Sequence, residues 1–275
     1  MGKVHRHRKV RTRTLDEGLE RPFTLHRHRA TYLAEKLESH SRRRGDQLTR
    51  LQKLALLRFH DDQVYDLRDH TKYNDSEVLK AYVDLFDELF FFGTLSSPCT
   101  FQFIGGREKG KFGAVEYEYK VVGKDLSGDL LRLPPLREKR CKLILYDRLP
   151  EENTRYKRLR GYMGTLLHEM IHAFFKLWAC DYDGCSSTWD GIGQRSSEHG
   201  RAWQDVAYAL ENAVRDEKLL NLDLKLNRAA ALALEVIVEG RAIHKDDLLD
   251  WKLDEDEVKS QLDYIRIWGY RKLRS

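Results

Sequence analysis

The segment Leu166–Phe175 reads Leu-Leu-His-Glu-Met-Ile-His-Ala-Phe-Phe and carries the strongest pattern in the chain. Residues four apart lie on the same face of an α-helix, so His168 and His172 can direct two imidazole rings at one point. Because imidazole nitrogens bind zinc at about 2.0–2.1 Å, the pair predicts two metal ligands, the alternative being a helix whose histidines bind no metal. Apolar periodicity favours a helix from about Tyr162 to Trp178. The residues predicted for its buried stripe are Leu167, Met170, Ile171, Phe174 and Trp178.

Glu169 follows the first histidine directly and is therefore rotated by about 100° from it around the helix axis. A carboxylate in that place can approach a water at the metal without binding the ion, and it can accept a proton from that water. The spacing therefore predicts Glu169 as a general base. A third ligand must come from elsewhere, and both Glu198 and His199 follow downstream. Neighbouring helical residues diverge by about 100°, so one of the two is expected to bind, and spacing leaves the choice open.

The segments around this motif predict an α+β fold with a small antiparallel or mixed sheet. Asn74-Asp-Ser-Glu77 has the form of a capping box, and the apolar periodicity behind it predicts a helix that ends near Gly93. A further helix is expected from about Glu198 to Val214, and the pattern from Leu219 to Ser275 is mostly helical. Three segments alternate with period two and indicate strands: Phe101–Phe103, Val115–Val121 and Cys141–Leu145.

The 275 residues carry a net charge of +5, but this charge is unevenly distributed. Residues 1–60 contain 16 Lys and Arg against 6 Asp and Glu, so the rest of the chain is net acidic. A basic arm on a near-neutral body indicates a polyanionic partner, nucleic acid first, although a solvated tail has the same composition. Four cysteines are too few for a disulfide scaffold of this length and favour a reducing compartment. No apolar run is long enough for a membrane span, and the N-terminus has no apolar stretch typical of a secretory signal.

The order of motifs resembles the SprT-like zinc metalloprotease family over roughly residues 75–215. The motifs are the run Leu85–Leu95, a set of strands, the segment Leu167–Ala173 with His168-Glu169-x-x-His172, and the element His199-Gly200-x-x-Trp203. The resemblance implies a zincin-like fold, in which a small sheet packs on the helix that bears the active site. It also implies Zn²⁺ as the cofactor, Glu169 as the general base, and three metal ligands: His168, His172 and His199.

The family consists of zinc-dependent endopeptidases, and its better-known members digest proteins covalently trapped on DNA. The resemblance therefore implies a metalloprotease of the nucleus, with the cytoplasm as the alternative location, active in DNA repair, with protein substrates and with DNA as a partner. DNA contacts are expected through the basic N-terminal arm and through a second basic stretch, residues 139–160. The expected organisation is a basic extension over residues 1–73, partly disordered or helical, a protease domain over 74–215 and a helical segment over 216–275. The alternatives are a zinc- and nucleic-acid-binding module without efficient proteolysis, and a scaffold that recruits partners.

Several residues near the motifs allow more than one interpretation. Cys180 and Cys185 are either plain loop thiols or part of a second metal site or redox switch. Trp203 follows His199 by four residues and either walls the site or packs against the motif helix. Tyr117 and Tyr119 lie on a strand that is expected to edge the substrate cleft. Three acids are candidates to orient the imidazoles through hydrogen bonds: Asp181, Asp183 and Asp190.

Overall fold

The computed structural model describes residues 23–68, 72–105, 112–122, 136–147, 154–180, 199–240 and 244–269. Within these ranges the chain is an α+β protein with a small mixed sheet. The eight helices of these ranges are α1 (Ala30–Ser41), α2 (Arg50–Asp61), α3 (Asp75–Phe90), α4 (Arg155–Trp178), α5 (Arg201–Arg215), α6 (Arg228–Glu239), α7 (Lys245–Asp250) and α8 (Glu255–Tyr264). Their strands are β1 (Cys99–Gly105), β2 (Gly113–Val122) and β3 (Leu136–Asp147). None of these helices combines the length and the apolar character that crossing a membrane requires.

The first and last turns of α3 follow from its local sequence. The Asn74 side-chain oxygen accepts a hydrogen bond from the Glu77 backbone N–H (3.0 Å), and the Glu77 carboxylate accepts one from the Asn74 backbone N–H (2.8 Å). These two bonds form the predicted capping box. The helix ends at Phe90, and the chain turns away through Phe92 and Gly93, whose φ angles are 60° and 66°. A glycine is favoured at such a turn because left-handed backbone strains residues that have a Cβ atom.

β3 is the central strand of the sheet. β1 pairs with it in parallel, with Cys99 opposite Cys141, and β2 pairs with it antiparallel, with Gly113 opposite Leu145. Residues 143–146 are buried one after another, so both faces of β3 are covered at this point. β2 pairs only with β3 among the described strands and therefore lies at an edge of them.

α4 carries the histidine motif and packs against β2 and β3. It begins at Arg155, seven residues before the predicted start at Tyr162. The added turns are held by Asp75, whose carboxylate accepts hydrogen bonds from the Arg155 and Arg158 guanidinium groups (3.0 Å each). The predicted stripe is buried along its whole length: Leu167, Met170, Ile171, Phe174 and Trp178.

A single hydrophobic core connects α4 with segments far away in the sequence. It includes Phe23, Leu33 and Leu37 from the N-terminal region, and Leu224 and Leu226 from the segment after α5. Leu33 and Leu37 lie one turn apart on α1 and are fully buried, although polar and charged residues surround them in the sequence. Residues on both sides of 74–215 therefore stabilise the part between them. A second, smaller cluster joins the region of α6, α7 and α8 through Leu232, Leu248, Trp251 and Val258.

Candidate metal centre

Three imidazole rings meet beside α4. His168 and His172 lie one turn apart on this helix, and His199 lies just before the first turn of α5. The Nε2 atoms of His168 and His172 are 3.1 Å apart, and the Nε2 atom of His199 lies 3.0 Å from the first and 3.1 Å from the second. Among the described residues these three side chains are the group that could together bind one metal ion. The structure thus brings together the three histidines that the resemblance indicated.

The size of this triangle suits a single ion. Its centre lies about 1.8 Å from each Nε2 atom (the side divided by √3), slightly less than a zinc–nitrogen bond of about 2.0–2.1 Å. The three Nε2 atoms could therefore hold one ion between them. The donor set of three imidazoles suits zinc and other transition metals better than the oxygen-preferring magnesium and calcium ions.

The orientation of His168 is set by a residue outside the predicted motifs. Its Nδ1 atom lies 2.9 Å from the Leu226 carbonyl oxygen. A carbonyl oxygen only accepts hydrogen bonds, so Nδ1 carries the proton and Nε2 keeps its lone pair toward the other two histidines. Such an outer hydrogen bond holds a ligating ring in place and raises its basicity. The segment between α5 and α6 is therefore part of the candidate metal centre.

A close backbone approach brings that segment to α4. Gly164 lies one turn before His168, and a Cβ atom added to it would lie 2.4 Å from the Lys225 carbonyl oxygen. No side chain fits in this space, so the glycine allows the helix and the segment to touch. The segment is also held from its other side, because the Glu211 carboxylate accepts hydrogen bonds from the Leu226 backbone N–H (2.9 Å) and from the Arg228 guanidinium group (2.7 Å).

His199 is anchored by Glu235 on α6. The backbone N–H of His199 donates to the Glu235 carboxylate (3.2 Å), which is 1 % exposed. An acidic residue inside the apolar run Ala229–Val238 is the sequence signal that could have indicated this contact. A buried carboxylate needs hydrogen-bond partners, so the bond ties α6 to the backbone of the third histidine.

Trp203 lies fully buried against all three imidazole rings. Its ring centroid is 4.6 Å from that of His168, 5.7 Å from that of His172 and 4.8 Å from that of His199. Both interpretations of this residue therefore hold, because it walls the site and packs on the motif helix at once. Its indole excludes water from one side of the rings.

Glu169 is half-buried and lies against the beginning of β2. A Cβ atom added to Gly113 would lie 2.7 Å from the Glu169 Cγ atom and 2.8 Å from its Oε1 atom. Gly113 thus leaves the space that the Glu169 side chain occupies. β2 therefore contributes to the site at Gly113, because this residue has no side chain. The sequence did not predict this role.

Burial keeps the three histidines uncharged. It lowers the pKa of His168 to about 4 and holds the pKa of His172 and His199 well below the ordinary histidine value. The positive charge of Lys176, one turn beyond His172, lowers the pKa of His172 and His199 further. Neutral imidazole is the form whose lone pair binds a metal, so the site is prepared for an ion at neutral pH.

The structure answers only part of the remaining sequence predictions. Cys180 is buried just beyond the end of α4. Tyr117 is exposed on β2, with the Lys176 ammonium group 5.5 Å from its ring centre, and Tyr119 lies on the same strand. The predictions for Cys185, Asp181, Asp183, Asp190 and Glu198 fall outside the described residues.

Ion pairs inside the protein occupy much of the second basic stretch. The carboxylate of Asp75 binds both Arg155 and Arg158, and that of Asp223 lies 3.0 Å from Arg160. These three arginines stabilise the fold through ion pairs, so they are less available for contacts to DNA phosphates. The basic residues before position 23, which belong to the predicted N-terminal arm, lie outside the described ranges.

Comparison of the chain with protein-family models, with curated proteins and with solved structures found no match.

Proposed function

We propose that this protein is a zinc-dependent endopeptidase of the SprT-like type with a zincin-like fold. The observation that carries the proposal is the convergence of three Nε2 atoms within 3.1 Å, with a carboxylate next to the first of them in the chain. His168, His172 and His199 would hold the zinc ion. Three protein ligands, rather than four, are typical of catalytic zinc sites as opposed to structural ones.

The chemistry divides between the ion and Glu169. When bound by the three histidines, a zinc ion would supply Lewis acidity, which would polarise the substrate carbonyl and ease deprotonation of the attacking water. Glu169 takes one proton from that water as its oxygen forms the bond to the carbonyl carbon. The same carboxyl group then gives the proton to the departing amine as the C–N bond breaks. Gly113 serves this step because it leaves room for the Glu169 side chain beside β2.

The edge position of β2 supports a polypeptide as the substrate. β2 packs against α4 and pairs only with β3 among the described strands. An extended chain can add to such an edge through main-chain hydrogen bonds, which require no particular side chains. Binding of this kind suits a protease that acts on many proteins.

The proposed substrates are proteins attached to or near DNA, and the proposed location is the nucleus. Support comes from the excess of basic residues in the first 60 positions and from the family resemblance. Internal ion pairs hold Arg155, Arg158 and Arg160, and they also hold Arg42, Arg44 and Arg58 within the first 60 residues. The basic residues before position 23 are therefore expected to make most of the phosphate contacts.

Metal analysis combined with a cleavage assay tests the proposal. The purified full chain should bind one zinc ion and cleave a disordered protein, faster when DNA is added. Glu169→Gln should keep the zinc and lose about 100-fold or more in rate, since a general base contributes about 10²–10⁴-fold. His199→Ala should lose the zinc, and Glu217→Gln, at an exposed position, serves as the control for both.

Equal cleavage by the parent chain and Glu169→Gln would refute the assigned mechanism. A parent chain that binds zinc and DNA without cleaving protein would instead support the alternative, a binding module without efficient proteolysis.

A further inference from the structure

A cleft of about 380 Å³ opens beside the N-terminal half of α4. Lys157, Gly161 and Thr165 line it from this helix, and Phe112 and Lys225 line it from the neighbouring segments. It is large enough for one or two side chains of a bound peptide. No motif in the sequence indicates this cleft, because its walls come from three separate parts of the chain.

The cleft ends next to the proposed general base. Thr165 and Glu169 are four residues apart on α4 and therefore share a face with the rest of the cleft wall. Both also approach Gly113, since a Cβ atom there would lie 3.0 Å from the Thr165 Cγ2 atom and 2.8 Å from the Glu169 Oε1 atom. Phe112, which is 54 % exposed, directly precedes this glycine and lines the cleft. A polypeptide whose scissile bond lies at Glu169 would therefore place a nearby side chain in the cleft.

The charge of the cleft is positive. Among the described residues that line the cleft, Asp223 is the one carboxylate; it lies 3.0 Å from Arg160 and 3.2 Å from Arg215, so two cations already compensate it. Lys157 and Lys225 are exposed. Lys225 also interacts electrostatically with Asp223, but within the described part of the chain neither ammonium group forms a direct ion pair. Two ammonium groups are therefore available to a ligand.

We infer that this cleft binds an acidic side chain of the polypeptide substrate close to the scissile bond, with Lys157 and Lys225 as the residues that recognise its carboxylate. The inference rests on the proposed proteolytic function and adds a substrate preference to it. A peptide suits the cleft better than a nucleic acid strand, because the cleft ends beside the proposed general base and Phe112 can pack on the aliphatic part of a Glu side chain.

A matched pair of peptides tests this inference. Two quenched fluorescent peptides would differ only in Glu or Gln next to the cleavage site, and both would be digested by the same sample of zinc-loaded full chain. The expected ratio of kcat/KM is about threefold to tenfold in favour of Glu, as two surface ion pairs would provide. The ratio should fall to about one in Lys157→Gln/Lys225→Gln and at high salt. Lys53→Gln, at an exposed position on α2, should keep the preference. Because both peptides meet the same protein sample, the ratio does not depend on how much of a variant is folded.

A binding measurement separates this inference from the proposed function. The Glu peptide should bind Glu169→Gln protein more tightly than the Gln peptide does, and the two lysine substitutions should remove the difference. Cleavage of both peptides at equal rates would overturn the inference and leave the protease in place. Preferential binding of the Glu peptide by a parent chain that cleaves neither would overturn the protease and leave the cleft. A DNA oligonucleotide that displaces the Glu peptide only when both lysines are present would assign the cleft to nucleic acid and overturn the inference.

Discussion

The contact between α4 and the segment before α6 makes Gly164 the most informative position for a substitution. In Gly164→Ala the new Cβ atom would lie 2.4 Å from the Lys225 carbonyl oxygen, about 1 Å inside an ordinary contact. The helix and the segment must then separate by roughly that distance. Since the Leu226 carbonyl follows Lys225 directly, its 2.9 Å hydrogen bond to His168 is expected to lengthen beyond a useful range.

Two effects on stability oppose each other in this variant. Overpacking costs about 1–3 kcal/mol, whereas alanine is favoured over glycine inside a helix by about 1 kcal/mol. The net change in the free energy of unfolding is therefore a destabilisation of about 0–2 kcal/mol. The effect on the metal has no such compensation, because loss of an outer hydrogen bond to a ligating histidine lowers metal affinity about 10–100-fold.

The assay is a zinc titration against a chromogenic chelator of known affinity, combined with urea unfolding of the metal-free protein. Gly105→Ala is the matched control, because a Cβ atom at Gly105 meets nothing within 4 Å. The control should bind zinc as the parent chain does. Zinc affinity of Gly164→Ala within twofold of the parent, at unchanged stability, would refute the argument that the segment supports His168.

Three further predictions concern other parts of the same structure. Gly113→Ala should keep the zinc but lower kcat/KM about 100-fold, because the new Cβ atom displaces Glu169; an unchanged rate at full metal content would contradict this. Burial raises the pKa of Asp87 to about 6, above its value in the unfolded chain. Between about pH 4 and 6 the native state therefore binds a proton that the unfolded chain has lost, so the free energy of unfolding falls as the pH rises through this range. Asp87→Asn should remove up to about 3 kcal/mol of this pH dependence, measured by urea unfolding at several pH values; parallel curves for both proteins would count against it. Glu211→Ala should destabilise the fold by about 3–5 kcal/mol, since it leaves the Arg228 charge buried without its carboxylate 2.7 Å away; a loss below 1 kcal/mol in chemical unfolding would show that the pair is not needed.

Features that depend on neighbours in the sequence were predictable. The capping box at Asn74 and Glu77 forms as expected, because both hydrogen bonds lie within one helical turn. The buried stripe of α4 follows from the helical period alone. The same period places His168 and His172 on one face.

Features that depend on packing were not predictable in the same way. Alternation indicated three strands, but it could not show that β3 lies between β1 and β2, since a strand pattern does not name its partners. The sparse apolar residues of α1 gave no sign of a core, yet Leu33 and Leu37 are buried because α4 and its neighbours cover them. Likewise, the roles of Gly113 and Gly164 depend on atoms of other residues, which occupy the space that a side chain at these positions would need.

The sequence by itself determined the first half of the candidate metal centre, because the period of a helix brings His168 and His172 together without help from the rest of the chain. Only the tertiary structure decided the second half. His199 is 27 residues from His172, and the Leu226 carbonyl is 58 residues from His168. Contacts over such separations exist only when the core has packed, since closing each loop costs entropy that no single hydrogen bond recovers.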